Sequence, residues 1–304
     1  MNTLTWLLRR ELWESRFTYI VPLVVAALVL FTIPLEGALT GGIAMLLEHM
    51  KELSGAELNA AGMVFLVMLA VPFNVAMVLV LFFYLQDALY TERKDRSILF
   101  WKSLPVSDTQ TVLSKFLIAA AVIPAIALVV MLATALVLTA EISVFAVLAG
   151  ENPVQLLWGP IPFVSGALFL AYALFVQSLW YAPLFGWLLL TSAFARRNPI
   201  LWALAPPLLV MLVEGTLLHS SNFARFLGER LSGVFPLAFD DRSFPGLSDG
   251  HVSRSAMTDW PTNMMEAANV TALVGSPGLW GGLAAAGAFI AAAIWLRRYR
   301  DESL

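Results

Sequence analysis

Six long runs of apolar residues, separated by shorter polar or charged segments, organise the chain. A helix needs roughly 20 apolar residues to cross the hydrocarbon core of a bilayer, and each run is close to that length or exceeds it. The pattern therefore predicts six membrane-spanning helices, at residues 18–35, 60–85, 116–138, 163–195, 199–218 and 279–296. Just before the second run, Ser54-Gly-Ala-Glu57 has the spacing of a capping box, which typically begins a helix.

The composition supports a membrane protein and excludes several other classes. Of the 304 residues, 60% are hydrophobic and only 13% are charged, which is too few polar groups to cover a soluble surface. We therefore predict an all-α integral membrane fold. The net charge of -3 gives no indication of nucleic acid as a partner, and the lack of cysteine excludes disulfides and thiolate metal sites. The three histidines, His49, His219 and His251, lack ligand spacing, so we expect no metal site.

The distribution of lysine and arginine predicts the orientation. Most of the 18 basic residues fall in segments that share one side if both termini are cytoplasmic. Residues 90–115 are the most charged internal segment, whereas residues 139–162 contain no lysine or arginine. Both termini are therefore predicted to be cytoplasmic, and the first span is expected to remain uncleaved because charges interrupt the apolar residues that precede it.

Two segments outside the spans have features of their own. Residues 1–17 mix Trp6 and Trp13 with arginines, which predicts a helix lying in the membrane interface; the alternative is a basic flank that only orients the first span. Residues 219–277 form the long outer loop, and we expect a small ordered extracellular cap there.

Residues 90–115 combine basic residues with large apolar ones. The positive-inside rule explains the charges, but a solvated loop has no reason to expose Phe100 and Trp101. A short helix lying across the membrane axis, with one of these aromatic residues buried in a partner protein, would explain both features. The alternative is a loop packed on its own bundle. Pro105 is expected to end this helix, and Ser107 and Asp108 to cap the third span.

The stretch ERKDRSILFWKSLPVSDTQTVLSK resembles the segment between the second and third spans of ABC-2 type transporter permeases. That family typically shows a Glu-Arg pair, a leucine-bearing turn, a Leu-Pro-hydroxyl corner and a lysine that opens the next span. The matching positions are Glu92, Arg93, Leu99, Leu104, Pro105, Ser107 and Lys115. Arg96-Ser97 departs from the glycine and threonine of many members. The order of the other segments is similar along the whole chain.

The resemblance implies that residues 1–304 form one ABC-2 type transmembrane domain in a bacterial inner membrane. Such a permease exports a substrate, either a lipid, a peptide or antibiotic, or another amphiphile. It works with a second permease subunit, as a homodimer or heterodimer among membrane lipids, and with two copies of a cytosolic ABC ATPase. The chain has no phosphate-binding loop, so it is not expected to be an enzyme or to hold a cofactor, and ATP and Mg²⁺ would bind the partner ATPase.

In that family, residues 90–115 would form a coupling helix that contacts the ATPase. The residues predicted to make this contact are Glu92, Arg93, Lys94, Asp95, Arg96, Phe100, Trp101, Lys102, Leu104 and Pro105. Two other functions fit the same pattern: a non-transporting scaffold or mechanotransmission subunit coupled to an ATPase, and an ion-coupled secondary transporter. The second usually shows inverted repeats and paired midplane charges, which this sequence lacks.

Polar residues inside spans are costly and often functional, so they are candidates for a transport pathway. Asn74 follows Pro72, and its amide is expected to satisfy the carbonyl that this proline frees. Gln177, with Ser178 and Tyr181, either lines a pathway or joins two helices. Glu214 is expected to reach outer water; its alternative is a contact with substrate or with the cap.

Overall fold

The computed structural model describes residues 3–95, 106–232, 238–239 and 268–299, and this part of the chain is almost entirely helical. The prediction of an all-α membrane fold is confirmed. The helices are α1 (Thr3–Glu14), α2 (Phe17–Thr40), α3 (Gly42–Lys51), α4 (Gly55–Asp87), α5 (Tyr90–Lys94), α6 (Asp108–Leu117), α7 (Ile123–Leu148), α8 (Phe163–Phe194), α9 (Pro199–Leu217), α10 (Asn222–Ser232), α11 (Val270–Gly275) and α12 (Pro277–Tyr299). Two π-helical turns, Ile118–Val122 and Val154–Trp158, precede α7 and α8.

Six helical segments of the described chain are long and apolar enough to cross a membrane. We number them as spans 1 to 6: Phe17–Thr40, Gly55–Lys94, Asp108–Leu148, Val154–Phe194, Pro199–Leu217 and Pro277–Tyr299. Each overlaps one predicted run, and the fourth and fifth end one residue earlier than predicted.

Spans 2, 3 and 4 are much longer than the sequence pattern suggested. Span 3 has 41 residues, which at a rise of 1.5 Å per residue is about 60 Å, roughly twice the hydrocarbon thickness. The helices extend beyond the predicted bounds 60–85 and 116–138, because bilayer thickness sets only a minimum length for a helix; the part of each helix that lies in the bilayer stays a prediction. The helices begin at capping boxes: Ser54 with Glu57 for span 2, and Ser107 with Gln110 for span 3.

The prolines inside the spans do not end their helices. Pro72 lies within α4 and Pro183 within α8. Before Pro124 the backbone takes a π-helical turn, in which the Ile123 N–H bonds to the Ile118 carbonyl. A proline removes one helical N–H donor, and the wider turn is one way in which the surrounding backbone adapts.

The buried core forms two clusters stacked along the bundle. One surrounds Leu66, Leu138 and Phe169, and the other surrounds Leu85 and Leu189. Spans 4 and 6 pack closely side by side, whereas most of the surface of spans 1 and 5 is exposed and apolar. Those exposed faces are suited to lipid or to another subunit.

Both ends of the described chain meet at one end of the bundle. Helix α1 and the last turns of α12 both pack against α6. We call this the basic end, because the arginine-bearing ends of the spans lie here, and we call the other the opposite end. Residues Thr3–Glu14 of the predicted interfacial helix are helical, with Leu7 and Glu11 buried and Trp6 and Trp13 exposed. That this helix lies in the membrane interface stays a prediction.

The predicted cap at residues 219–277 has ordered elements at the opposite end. Helices α10 and α11 belong to it, and a bridge pairs Phe239 with Ala268. Phe239 packs against Phe169 and Tyr172 of α8, with ring centroids 4.9 and 5.6 Å away. The cap is therefore attached to span 4.

Candidate functional site at the basic end

A helix break lies just before the predicted coupling segment. Helix α4 ends at Asp87 and α5 begins at Tyr90. The Ser192 hydroxyl of α8 accepts hydrogen bonds from the backbone N–H groups of Leu89 and Tyr90, both at 3.0 Å, and donates to the Gln86 carbonyl at 2.7 Å. This one side chain therefore satisfies the backbone at the break and fixes α5 to span 4.

Arg93 attaches α5 to the end of the same span. Its guanidinium donates to the carbonyls of Ser192 and Ala195, the latter at 2.9 Å. The last carbonyls of a helix have no intrahelical donor, so an arginine placed there stabilises the helix end. These hydrogen bonds of Arg93 are made within its own bundle.

Glu92 is buried among three cations, with an exposed fraction of 7%. Its carboxylate accepts from Nη1 of Arg297 at 2.6 Å, lies 3.1 Å from Nζ of Lys115, and accepts from Nη2 of Arg10 at 3.3 Å. These partners lie on α12, α6 and α1. Glu92 therefore joins three helices to the end of span 2.

Lys115 is the central cation of the arrangement and is 2% exposed. It donates to Oε1 of Glu11 at 2.8 Å, and the Tyr84 hydroxyl donates to Oε2 of the same carboxylate at 3.3 Å. Arg297 also donates from Nε to Oδ1 of Asp108 at 2.9 Å. We call the six charged residues the ionic cluster: Arg10, Glu11, Glu92, Asp108, Lys115 and Arg297.

The ionic cluster is balanced, with three acids and three bases, which is what allows such charges to be buried. Removing one member of a buried pair typically costs 3–5 kcal/mol, because the remaining charge is left without compensation. Arg10 lies at the edge of the ionic cluster. Burial alone would lower the pKa of its guanidinium, but the hydrogen bond to Glu14 and the charges of Glu11 and Glu92 raise that pKa above its ordinary value. Arg10 therefore stays charged.

The structure describes four of the ten residues predicted to contact an ATPase. Glu92 and Arg93 make their hydrogen bonds and ion pairs within the bundle, whereas Lys94 and Asp95 are exposed. The other six lie outside the described residues: Arg96, Phe100, Trp101, Lys102, Leu104 and Pro105. That these residues contact an ATPase stays a prediction. Ser107 caps α6 as predicted.

Asn74 and Gln177 form a reciprocal amide pair between spans 2 and 4. Nδ2 of Asn74 donates to Oε1 of Gln177 at 2.8 Å, and Nε2 of Gln177 donates back to Oδ1 at 3.3 Å. The expectation that Asn74 satisfies a carbonyl freed by Pro72 is wrong, because a better-placed amide faces it from span 4. Of the two roles considered for Gln177, joining two helices is the one observed.

Two of the three remaining pathway candidates, Tyr181 and Glu214, contact the cap. The Tyr181 hydroxyl donates to the Leu231 carbonyl at 2.6 Å, and Ser178 is buried on the same helix. Glu214 does not simply reach water: its carboxylate accepts from the backbone N–H groups of Asn222 and Phe223 at 2.7 and 2.8 Å. It thus stabilises the start of α10, where N–H groups lack helical partners.

Two charged residues were missed by sequence reasoning. Glu141 falls inside span 3, beyond the predicted end of that span at residue 138. Arg230 of α10 is buried against Trp180, and a single arginine in a polar loop carries no spacing that would identify it. Among the described residues, no group of three or more potential ligands is placed to hold a metal ion.

Residues 58–176 match the model of a family described as ABC-2 family transporter protein. The match covers spans 2 and 3, the segment between them and the first part of span 4, and it confirms the resemblance to ABC-2 type permeases. Members of this family are the transmembrane component of their transporters and generally not catalytic themselves. No curated protein and no solved structure matches the chain.

Proposed function

We propose that this chain is the permease subunit of an ATP-driven exporter in a bacterial inner membrane, on the basis of the match of residues 58–176 to the ABC-2 family transporter model. The basic end faces the cytoplasm in this proposal, as the distribution of lysine and arginine favours. A second permease subunit and two copies of a cytosolic ATPase complete the transporter. The substrate is an amphiphile, such as a lipid, a peptide or an antibiotic.

The observation that carries the proposal is that the ionic cluster joins the described residues that precede and follow residues 96–105 in the chain. Residues 96–105 lie between Glu92 and Asp108, and both of these acids bind Arg297 of α12. Glu92 also faces Lys115 and Arg10. A force applied to residues 96–105 would reach span 6 and α1 directly, through ion pairs as well as through the helices.

This arrangement suits coupling by rigid-body movement. Helix α5 is fixed to span 4 by Ser192 and Arg93, and to span 6 by Glu92. ATP and Mg²⁺ bind the partner ATPase, whose closure displaces residues 96–105 together with the helices attached to them. Packed interfaces of this kind respond by shifting as units, because cores do not deform continuously.

The proposal is tested by co-purification with the ATPase encoded beside this protein. The variant Phe100→Ala/Trp101→Ala removes the predicted aromatic anchors, and Trp6→Ala/Trp13→Ala removes two exposed tryptophans of α1 at the same end. We expect the wild type and the α1 variant to retain the ATPase and the Phe100/Trp101 variant to lose it.

Two outcomes would correct the proposal in different ways. A wild-type protein that binds no ATPase, and stimulates none, contradicts the exporter assignment and favours a secondary transporter. A complex that survives Phe100→Ala/Trp101→Ala keeps the permease assignment but removes the role of those two anchors.

A further inference from the structure

Helix α10 inserts an arginine between spans 4 and 6 at the opposite end. The Arg230 guanidinium lies over the Trp180 ring, 4.3 Å from its centroid. Nη2 donates to the Gly278 carbonyl in the first turn of α12 at 2.8 Å, and Nη1 to the Trp180 carbonyl at 3.5 Å. Only 6% of the residue is exposed.

The space that the guanidinium occupies depends on a glycine. A Cβ atom added to Gly282 would lie 2.5 Å from Nη2 of Arg230, which is far below contact distance. Gly278 comes close to the other side of the site, where an added Cβ would lie 3.3 Å from the Trp180 ring. The first turns of α12 are thus shaped to admit a cation.

The charge of Arg230 is not balanced by the described residues. An arginine has five N–H donors, and here two carbonyls accept from them, the Trp180 carbonyl only at 3.5 Å. Among the described residues no carboxylate forms an ion pair with it, in contrast to every cation of the ionic cluster at the basic end. Burial lowers the pKa of the Arg230 guanidinium from its ordinary value.

The Trp180 ring that the guanidinium covers carries a donor without an acceptor. Nε1 of Trp180 is buried and has no hydrogen-bond partner, and the side chain is 6% exposed. A buried donor without an acceptor is costly, and a bound water, ion or ligand would satisfy it. Arg230 lacks a counter-charge and the Trp180 N–H lacks an acceptor, and one oxyanion could supply both.

We propose that Arg230 and Trp180 bind the oxyanion of an anionic amphiphile, such as a phosphate or carboxylate headgroup. Oxyanions are the groups that a planar guanidinium recognises best, and the indole N–H adds a donor with a fixed direction. Tyr181, the residue after Trp180, contacts the same helix α10. That the ligand is the exported substrate rests on the proposed function; that an anion binds here does not.

The experiment measures thermal stabilisation of the purified full-length permease by phosphatidylglycerol in mixed micelles. Phosphatidylcholine serves as the zwitterionic comparison and inorganic phosphate as the headgroup alone. Arg230→Gln removes the charge and Trp180→Phe keeps an aromatic ring without the N–H. Arg225→Gln is the matched control, because Arg225 is exposed on the same helix.

We expect phosphatidylglycerol, but not phosphatidylcholine, to give a saturable stabilisation of the wild type and of Arg225→Gln. Arg230→Gln should bind about tenfold more weakly, the loss expected for a hydrogen bond to a charged group, and Trp180→Phe should show a smaller loss. If Arg230→Gln does not fold, Trp180→Phe, which removes the N–H, and Arg230→Lys, which keeps the charge but loses the planar guanidinium, should both weaken binding relative to Arg225→Gln. If inorganic phosphate stabilises the wild type but not Arg230→Gln, the anion site is supported and free phosphate is its ligand.

An equal response in Arg230→Gln and Arg225→Gln, or no saturable response to either anion, would overturn the proposal. Because none of these measurements involves an ATPase, a failure of the exporter assignment would leave their result unaffected. Conversely, a transporter that couples normally but binds no anion at Arg230 would refute only the anion site.

Discussion

Replacing Lys115 with methionine is the most informative perturbation of the ionic cluster. Lys115→Met keeps much of the apolar side chain and removes the ammonium that lies 2.8 Å from Glu11 and 3.1 Å from Glu92. Neither carboxylate is left entirely alone. Glu92 retains Arg297 at 2.6 Å, and Glu11 retains the Tyr84 hydroxyl at 3.3 Å.

The remaining contacts place the expected loss at the lower end of the range for breaking a buried ion pair, about 3 kcal/mol. That loss lowers the ratio of folded to unfolded protein about a hundredfold. The assay is unfolding in mixed micelles of increasing SDS fraction. The double variant Glu11→Gln/Lys115→Met should be more stable than the sum of the two single changes predicts, with a coupling of about 1 kcal/mol or more.

Lys51→Met is the matched control. Lys51 pairs with Glu48 and Glu151, but about a third of its side chain is exposed, so water compensates the lost charge. We expect a much smaller effect than for Lys115→Met. Equal stability of the two variants, or additive effects of Glu11→Gln and Lys115→Met, would refute the reasoning that burial makes the cluster essential to the bundle.

Three further predictions use the same unfolding assay or hydrogen exchange. Gly62→Ala should destabilise the bundle by about 1–3 kcal/mol, because the added Cβ would lie 2.9 Å from the Ile161 backbone. Gly215→Ala is the control: no described atom lies within 4 Å of its added Cβ, so it should be neutral or slightly stabilising. Asn74→Leu should lower the free energy of unfolding by about 1 kcal/mol, because it leaves the Gln177 amide unpaired. Much of this loss should be recovered in Asn74→Leu/Gln177→Leu, where no amide remains to be unpaired. A double variant that is less stable than the sum of the two single changes predicts would contradict the pairing. Tyr181→Phe should speed hydrogen exchange of the α10 amides, because it removes the hydrogen bond to the Leu231 carbonyl. Tyr172→Phe is the control and should not, because the Tyr172 hydroxyl has no hydrogen-bond partner to lose. Equal exchange rates in the two variants would refute the contact.

The six long apolar helices were predictable from sequence because their signals are local. Apolar runs fix the existence of the six spans, and the capping boxes at Ser54 and Ser107 act over three residues. The lengths of spans 2 to 4 were not predictable in the same way. Their helices continue through apolar sequence well past the bilayer minimum, so the end of the hydrocarbon does not mark the end of the helix.

The ionic cluster was not predictable because its partners are far apart in the chain. Arg10 and Arg297 are 82 and 205 residues from Glu92, and no spacing rule connects them. The resemblance identified Glu92 and Lys115 as matching positions, but it indicated neither their burial nor their contact. The predicted partner of Asn74 was wrong for a related reason. The local sequence suggested the carbonyl freed by Pro72, whereas the observed partner is Gln177 of span 4.

The central proposal is that this chain is a permease and that an ATPase drives it through residues 96–105. The most direct test is the rate of ATP hydrolysis by the neighbouring ATPase in liposomes, with and without the permease. We predict that the wild-type permease changes the rate and that Phe100→Ala/Trp101→Ala abolishes this change, while Trp6→Ala/Trp13→Ala preserves it. A hydrolysis rate that is the same with and without the wild-type permease would contradict the account.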